Sequence, residues 1–131
     1  MEFLKPDSWP RAPGFSWGVA AQGQQVFVAG QVGRDPASGD SMPADFAAQC
    51  AQAFANIVTV LAEAGARSEH IAHMTWYVTD LQAYRAAGRD IGAAYKQHIG
   101  KHFPSITLVQ VVGLVDEQAL VEIECIAVVP A

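Results

Sequence analysis

Along the chain, apolar positions recur at two spacings, and the change from one to the other divides it into elements. From Asp45 to Ala64, Phe46, Cys50, Phe54 (or Ala53), Ile57 and Leu61 recur every three or four residues and form one apolar stripe of a helix. Asp45 stands where an N-cap is expected and Gly65 where the helix should stop. Asp80 opens a second helix with the stripe Leu81, Tyr84, Gly88, Ile91, Tyr95 and Ile99, and Pro104 ends any helical continuation. Ile71 to Val78, between the two, is β-rich. Phe15 to Ala21 and Gln25 to Ala29, separated by Gln22-Gly23-Gln24, suit a hairpin. Gly30-Gln31-Val32-Gly33 prolongs the second run, and its two glycines predict a bulge or a close approach by another group.

The last thirty residues read as two strands. Phe103 to Val111 is the first and Val121 to Val128 the second. In the second, alternation sets Val121, Ile123, Cys125 and Ala127 on one face and Glu122, Glu124, Ile126 and Val128 on the other. Two carboxylates sharing a face with apolar neighbours either meet water or line a cleft.

The order is thus β-β-α-β-α-β-β, and each helix has a single stripe to bury. Such helices pack on one face of a mixed sheet, which predicts a two-layer α+β domain spanning residues 1–131, with residues 1–12 as an N-terminal extension. The other sheet face then needs cover. With 51% hydrophobic and only 16% charged residues, the simplest cover is another copy of the same sheet.

Charge narrows the function classes. Eight Lys and Arg against thirteen Asp and Glu leave a net charge of −5, which disfavours nucleic acid and anionic membranes as partners. No apolar run approaches the ~20 residues of a membrane span. Met1 to Pro6 lacks the charged and apolar sequence of a signal peptide, so a cytoplasmic location is expected. Cys50 and Cys125 both fall on apolar faces and read as buried, reduced thiols. His98 and His102 are spaced i, i+4, and His70 and His73 lie near a strand, but no carboxylate or cysteine completes a metal-ligand set. Neither a metal nor a cofactor is expected.

Gly14-Phe15-Ser16, Ala29-Gly30-Gln31…Asp35-Pro36, Gln49 with Asn56-Ile57, Val78-Thr79-Asp80-Leu81 and Glu122-Ile123-Glu124, taken in this order, resemble the Rid (reactive intermediate deaminase, or YjgF) family over Pro13 to Val128. Gly14-Phe15-Ser16 is similar to its Gly-Pro-Tyr entry, and Ala29-Gly30-Gln31…Asp35-Pro36 to its Ser-Gly-Gln…(Asp/Asn)-Pro segment. Gln49, Asn56 and Ile57 fit its first helix, Val78-Thr79-Asp80-Leu81 its step into the second, and Glu122-Ile123-Glu124 its last strand. The resemblance implies a chorismate-mutase-like fold and a homotrimer whose inner sheets form a barrel, with ligands bound in clefts between subunits. Family enzymes hydrolyse enamine or imine intermediates such as 2-aminoacrylate to a keto acid and ammonia. Members without the usual arginine include ones resembling 2-aminomuconate deaminase, so a conjugated, unsaturated amino acid is a candidate substrate. A non-catalytic trimer that binds a metabolite or modulates another enzyme is the alternative.

Carried over residue by residue, the resemblance puts Ile106 where the family arginine would hold the substrate carboxylate, with Leu108 and Gln110 on the same strand face. Losing that charge-assisted bond predicts a roughly 30- to 1000-fold deficit toward 2-aminoacrylate, or about 2–4 kcal/mol. Ala29 replaces the family serine, Ser16 takes the place of its tyrosine, and the adjacent Trp17 could wall a planar ligand. Glu122 falls on the family's cleft glutamate and would activate water; otherwise it is a structural carboxylate at the trimer interface. Arg34 is the substitute anchor, or else a turn arginine paired with Asp35 or Asp40. Gln31 would line the cleft beside Ala29. His102 either reaches its rim as an acid or ligand donor or is an exposed loop histidine.

Overall fold

The computed structural model describes residues 1–131 and has two layers. Strands β3 (Gln24–Val32), β4 (Ile71–Val78), β5 (Ser105–Gln110) and β6 (Val121–Val129) form a sheet in the order β3-β6-β4-β5. Only β4 and β5 run parallel; β6 is antiparallel to both of its neighbours. Helices α1 (Phe46–Glu63), α2 (Leu81–Ala86) and α3 (Gly88–His98) cover one face. A separate two-stranded sheet joins β1 (Glu2–Leu4) to β2 (Gly18–Ala20).

Helix α1 starts and stops as its sequence directs. The Asp45 carboxylate accepts from the Ala48 N–H at 2.9 Å, satisfying one of the orphan donors of the first turn. At the other end Gly65 has φ +67°, and the Gly65 and Ala66 N–H groups donate back to Ala62 and Leu61. The stripe of α1 delivers Cys50, Ala53, Phe54, Ile57 and Leu61, all fully buried, onto Ile71, Met74 and Val78 of β4 and Val121, Ile123 and Ala127 of β6. Burying side chains of that size stabilises by roughly 1.5–3 kcal/mol each, so this contact is the main apolar driving force of the fold.

Polar side chains hold the long connections to that core. Gln49, only 1% exposed, donates through Nε2 to the carbonyls of Pro43 and Gln118 and accepts from the Leu120 N–H through Oε1. Asn56 donates to the carbonyls of Val32 and Arg34. The end of β3 and the entrance to β6 are therefore both anchored to α1. Gly33 permits that approach, since a Cβ there would come within 2.5 Å of the Gln49 Cα.

Two expectations from the sequence are corrected. Gly18–Ala20 does not form a hairpin with Gln24–Val32 but pairs with Glu2–Leu4. The second helix is two, α2 and α3, which meet at Ala87; helix α2 begins at Asp80, whose carboxylate accepts from the Gln82 and Ala83 N–H groups. Strand β3 does carry the irregularity that its glycines suggest, a register shift between Val28 and Gln31. The sheet face away from the helices stays open in the protomer, with Phe27 68% exposed.

Candidate functional site

The parallel pair β4–β5 places Trp76 beside Leu108 and Met74 beside Ile106 in register. These residues point toward the helices, as the burial of Met74 and Trp76 requires. Strand β5 is the sheet edge, and past it the helix layer does not close. Between β5, α3 and the segment Pro13–Phe15 lies a cavity of about 740 Å³. Its walls are largely aromatic and aliphatic, with Phe15, Trp76, Tyr84, Tyr95, Ile106 and Leu108 prominent. Gly88, Gly92 and Gly100 also line it, and a Cβ at any of the three would meet nothing within 4 Å. Lys96 and Lys101 supply its cationic groups, and neither is in a salt bridge.

The walls are held from behind. Tyr95 donates from Oη to the His102 carbonyl at 2.6 Å, its ring stacks on Phe103, and burial raises its phenol pKa, so it stays neutral. Ser16 donates from Oγ to the Phe103 carbonyl at 2.5 Å and from its backbone N–H to Pro104, clipping the Pro13–Phe15 wall to β5. Trp76 is 5% exposed, and its indole N–H is buried without an acceptor. An orphan donor of this kind is uncommon in a native core.

Across the sheet, the open face has a different chemistry. Glu122 and Glu124 project there, and Tyr77 donates to Glu124 at 2.8 Å, a bond that raises the Tyr77 pKa. Glu122 lies against Gly30, where a Cβ would come within 2.7 Å of its carboxyl carbon. Ala29, His73, Thr75 and Glu124 line a smaller hollow of about 340 Å³ on this face. His73 Nδ1 lies 2.8 Å from Ser105 Oγ, which itself donates to the Ala72 carbonyl, so Nδ1 carries the proton.

The sequence-predicted residues therefore fall into separate places. Ile106 and Leu108 line the cavity on the helix side, whereas Glu122 and Ala29 occupy the open side, so one protomer does not bring them together. Gln31 folds back to donate to the Ala29 carbonyl at 3.1 Å. Gln110 is not on the cavity floor: its Oε1 accepts from the Leu81 N–H at the start of α2. Trp17 lies in an adjoining groove, edge-on to Trp9 and Phe15, and donates from Nε1 to the Pro10 carbonyl. His102 donates from Nε2 to the Ile71 carbonyl at 2.7 Å and packs on Phe3, beside a different depression. Arg34 is neither paired with the Asp35 carboxylate nor free. Its guanidinium donates to the Asp116 carboxylate, to Gln118 Oε1 and to the Asp40 carbonyl; the Gln118 N–H, which donates to Asp116, and then Arg34 hold the Asp116 carboxyl below its usual pKa.

Sequence reading missed Phe15, Trp76, Tyr84, Tyr95 and Phe103 as cavity walls. A signal was present in the stripe of the second helical region. Gly88 sits on that stripe and Gly92 follows Ile91, so the helix lacks side chains where it passes β5.

This two-layer α+β domain has the fold of solved Rid-type proteins. The chain belongs to that family: the family described as Endoribonuclease L-PSP matches residues 9–129. A RutC family protein of Haemophilus influenzae is 33% identical over 106 residues, covering 81% of this chain and 80% of its own. A goat 2-iminobutanoate/2-iminopropanoate deaminase is 33% identical over 103 residues, covering 79% and 72%. Among solved structures, YyfB of the conserved Rid protein family from Yersinia pestis superposes with a TM-score of 0.84 at 26% identity, covering 98% of each chain. The family thus includes imine deaminases, and no helix here is long and apolar enough to cross a membrane.

Proposed function

We propose that this chain is a Rid-like deaminase that hydrolyses an enamine or imine of a small planar metabolite, a 2-aminomuconate-type substrate being one candidate. The observation that carries the reading is the cavity at Ile106 and Leu108, since the resemblance puts the substrate there. Relatives named as imine deaminases support the reaction class. In the reaction, water oxygen bonds to the carbon of the protonated imine, whose π pair moves to nitrogen, while a carboxylate takes one water proton. The carboxylic acid then returns that proton to the nitrogen of the carbinolamine, the C–N bond breaks as a hydroxyl lone pair forms the keto C=O, and the departing ammonia takes the hydroxyl proton and leaves as ammonium.

Glu122 is the proposed base, and its position has a consequence for assembly. Glu122 and the cavity are on opposite faces of one protomer's sheet, so the carboxylate reaches the substrate only from a neighbouring copy. A homotrimer in which the open sheet face of one copy meets the β5 edge of the next would supply it and would cover Phe27. Isoleucine at 106 makes 2-aminoacrylate a poor substrate, and the net charge of −5 argues against RNA. The test is ammonia release from imines generated in situ, comparing the wild type with Glu122→Gln. The variant keeps shape and hydrogen bonding but has no base, so it should lose turnover and keep its assembly state. Unchanged kcat in Glu122→Gln refutes the role of Glu122. A stable monomer of about 14 kDa in light scattering refutes the shared site.

The alternative, a metabolite-binding trimer without catalysis, is favoured by one observation: Arg34, the candidate replacement anchor, is fully engaged by Asp116 and Gln118. Ligand binding with no turnover of any imine would decide for it.

A further inference from the structure

Resting on the reading of the β5 cavity as the substrate site, we infer that its ligand is a planar aromatic carboxylic acid, or a conjugated acid of the same shape, with a hydrogen-bond acceptor in its plane. The acceptor takes the orphan N–H of Trp76, and the carboxylate meets Lys96 and Lys101.

Three independent features lead to this class. The walls are flat and apolar: Phe15, Trp76, Tyr84, Tyr95 and Phe103 contribute rings, and Ile106 and Leu108 the aliphatic floor. Rings packed on rings in offset or edge-on geometry favour a planar occupant over a short aliphatic chain, which would leave most of a cavity of about 740 Å³ unfilled. The Trp76 donor is the second feature. It is the one buried side-chain polar atom without a partner, and it belongs to a wall residue. A ligand that offers an acceptor there recovers a hydrogen bond the free protein lacks, which discriminates against shapes without one. The third is charge. No cationic or amide side chain lines the cavity other than Lys96 and Lys101, which have no salt-bridge partners. An anionic group is therefore held at the lysines, away from Ile106. The three glycines keep one wall bare, and Gly92 is an unfavourable residue inside a helix.

The experiment uses the intact ¹⁵N-labelled protein and four probes: isonicotinate, benzoate, cyclohexanecarboxylate and propionate. Isonicotinate and benzoate differ only in the in-plane ring nitrogen, cyclohexanecarboxylate is not planar, and propionate has no ring. Three indole N–H signals report Trp9, Trp17 and Trp76, and Trp76→Phe assigns the last; if that variant does not fold, triple-resonance spectra assign it. Isonicotinate is expected to move the Trp76 signal downfield and to bind roughly 3- to 10-fold more tightly than benzoate, with the two remaining acids weaker still. Gly92→Leu, which puts a side chain into open space at the wall, should weaken isonicotinate at least about 10-fold without unfolding the protein. An unmoved Trp76 signal with all four probes, or propionate binding as tightly as the aromatic acids, overturns the inference. If the protein still releases ammonia from a conjugated imine or enamine acid in that event, the proposed function stands and only the ligand class fails. A Trp76 shift with no hydrolysis of any imine supports the ligand class and removes the activity.

Discussion

Replacing Gln49 by leucine changes little in volume and removes three hydrogen bonds at once. The lost partners are the carbonyls of Pro43 and Gln118 and the N–H of Leu120, at 2.8, 3.1 and 2.8 Å. A net hydrogen bond contributes about 1 kcal/mol, and an abandoned buried partner pushes the loss higher. Pro43 and Gln118 are on exposed residues, so water recovers part of the loss at their carbonyls, whereas Leu120 is half-buried. The expected destabilisation is about 2–3 kcal/mol, a large fraction of the 5–15 kcal/mol typical of a domain. Urea unfolding at fixed protein concentration measures it, because an oligomer's midpoint depends on concentration. The reasoning also predicts where the damage appears. Gln49 ties α1 to the entrance of β6, so amide exchange should speed up first at Ala119 to Glu122. A loss below about 1 kcal/mol with an unchanged urea slope would refute the argument that this one side chain fixes the loop.

Gly33→Ala should destabilise by about 1–3 kcal/mol, since its Cβ would overlap the α1 backbone at Gln49, and a melting temperature equal to wild type would contradict this. Burial pushes the thiols of Cys50 and Cys125 up to about 12, so neither should react with a disulfide reagent at pH 8 until denaturant is added; rapid labelling of the native protein would contradict it. The Asp116 carboxyl, lowered by its bond from the Gln118 N–H and by Arg34, supports the fold above the ordinary carboxylate range and loses that support as pH falls through its depressed folded value. Acid unfolding of Asp116→Asn should therefore lack this component, and superimposable acid titrations of the two proteins would show that it contributes nothing.

How far the structure could be read from sequence depends on the kind of information each element carries. Helix α1 and strand β6 were legible because their patterns are local: Asp45 and Gly65 mark the ends, and period-two burial of Val121, Ile123, Cys125 and Ala127 is visible in the residues themselves. Strand β2 was misassigned because three residues, Gly18–Ala20, carry little pattern, and their partner Glu2–Leu4 lies far upstream. The candidate site depends on a different kind of information. Alternation tells that Ile106 and Leu108 share a face and that Glu122 and Glu124 share a face, but not whether those faces coincide. In β5 the other set, Ser105, Thr107 and Val109, is more polar, so Ile106 and Leu108 read as the apolar set, but one strand alone does not tell which face of the sheet that set joins. Only the β4–β5 register, pairing Ile106 with buried Met74, decides it. Arg34 was likewise unreadable, because its partners Asp116 and Gln118 lie more than eighty residues away.

The Ser16 clip has a kinetic consequence. Pro13–Phe15 forms a cavity wall yet belongs to no strand of the main sheet, and two bonds, to the Phe103 and Pro104 backbone, hold it against β5. Breaking them exposes little of the core, so the wall can swing out at a small fraction of the free energy of global unfolding. Ligand exchange and fold stability are thereby uncoupled: a substitution in α1 can weaken the protein without changing how fast the cavity empties, and a substitution at Ser16 can do the reverse.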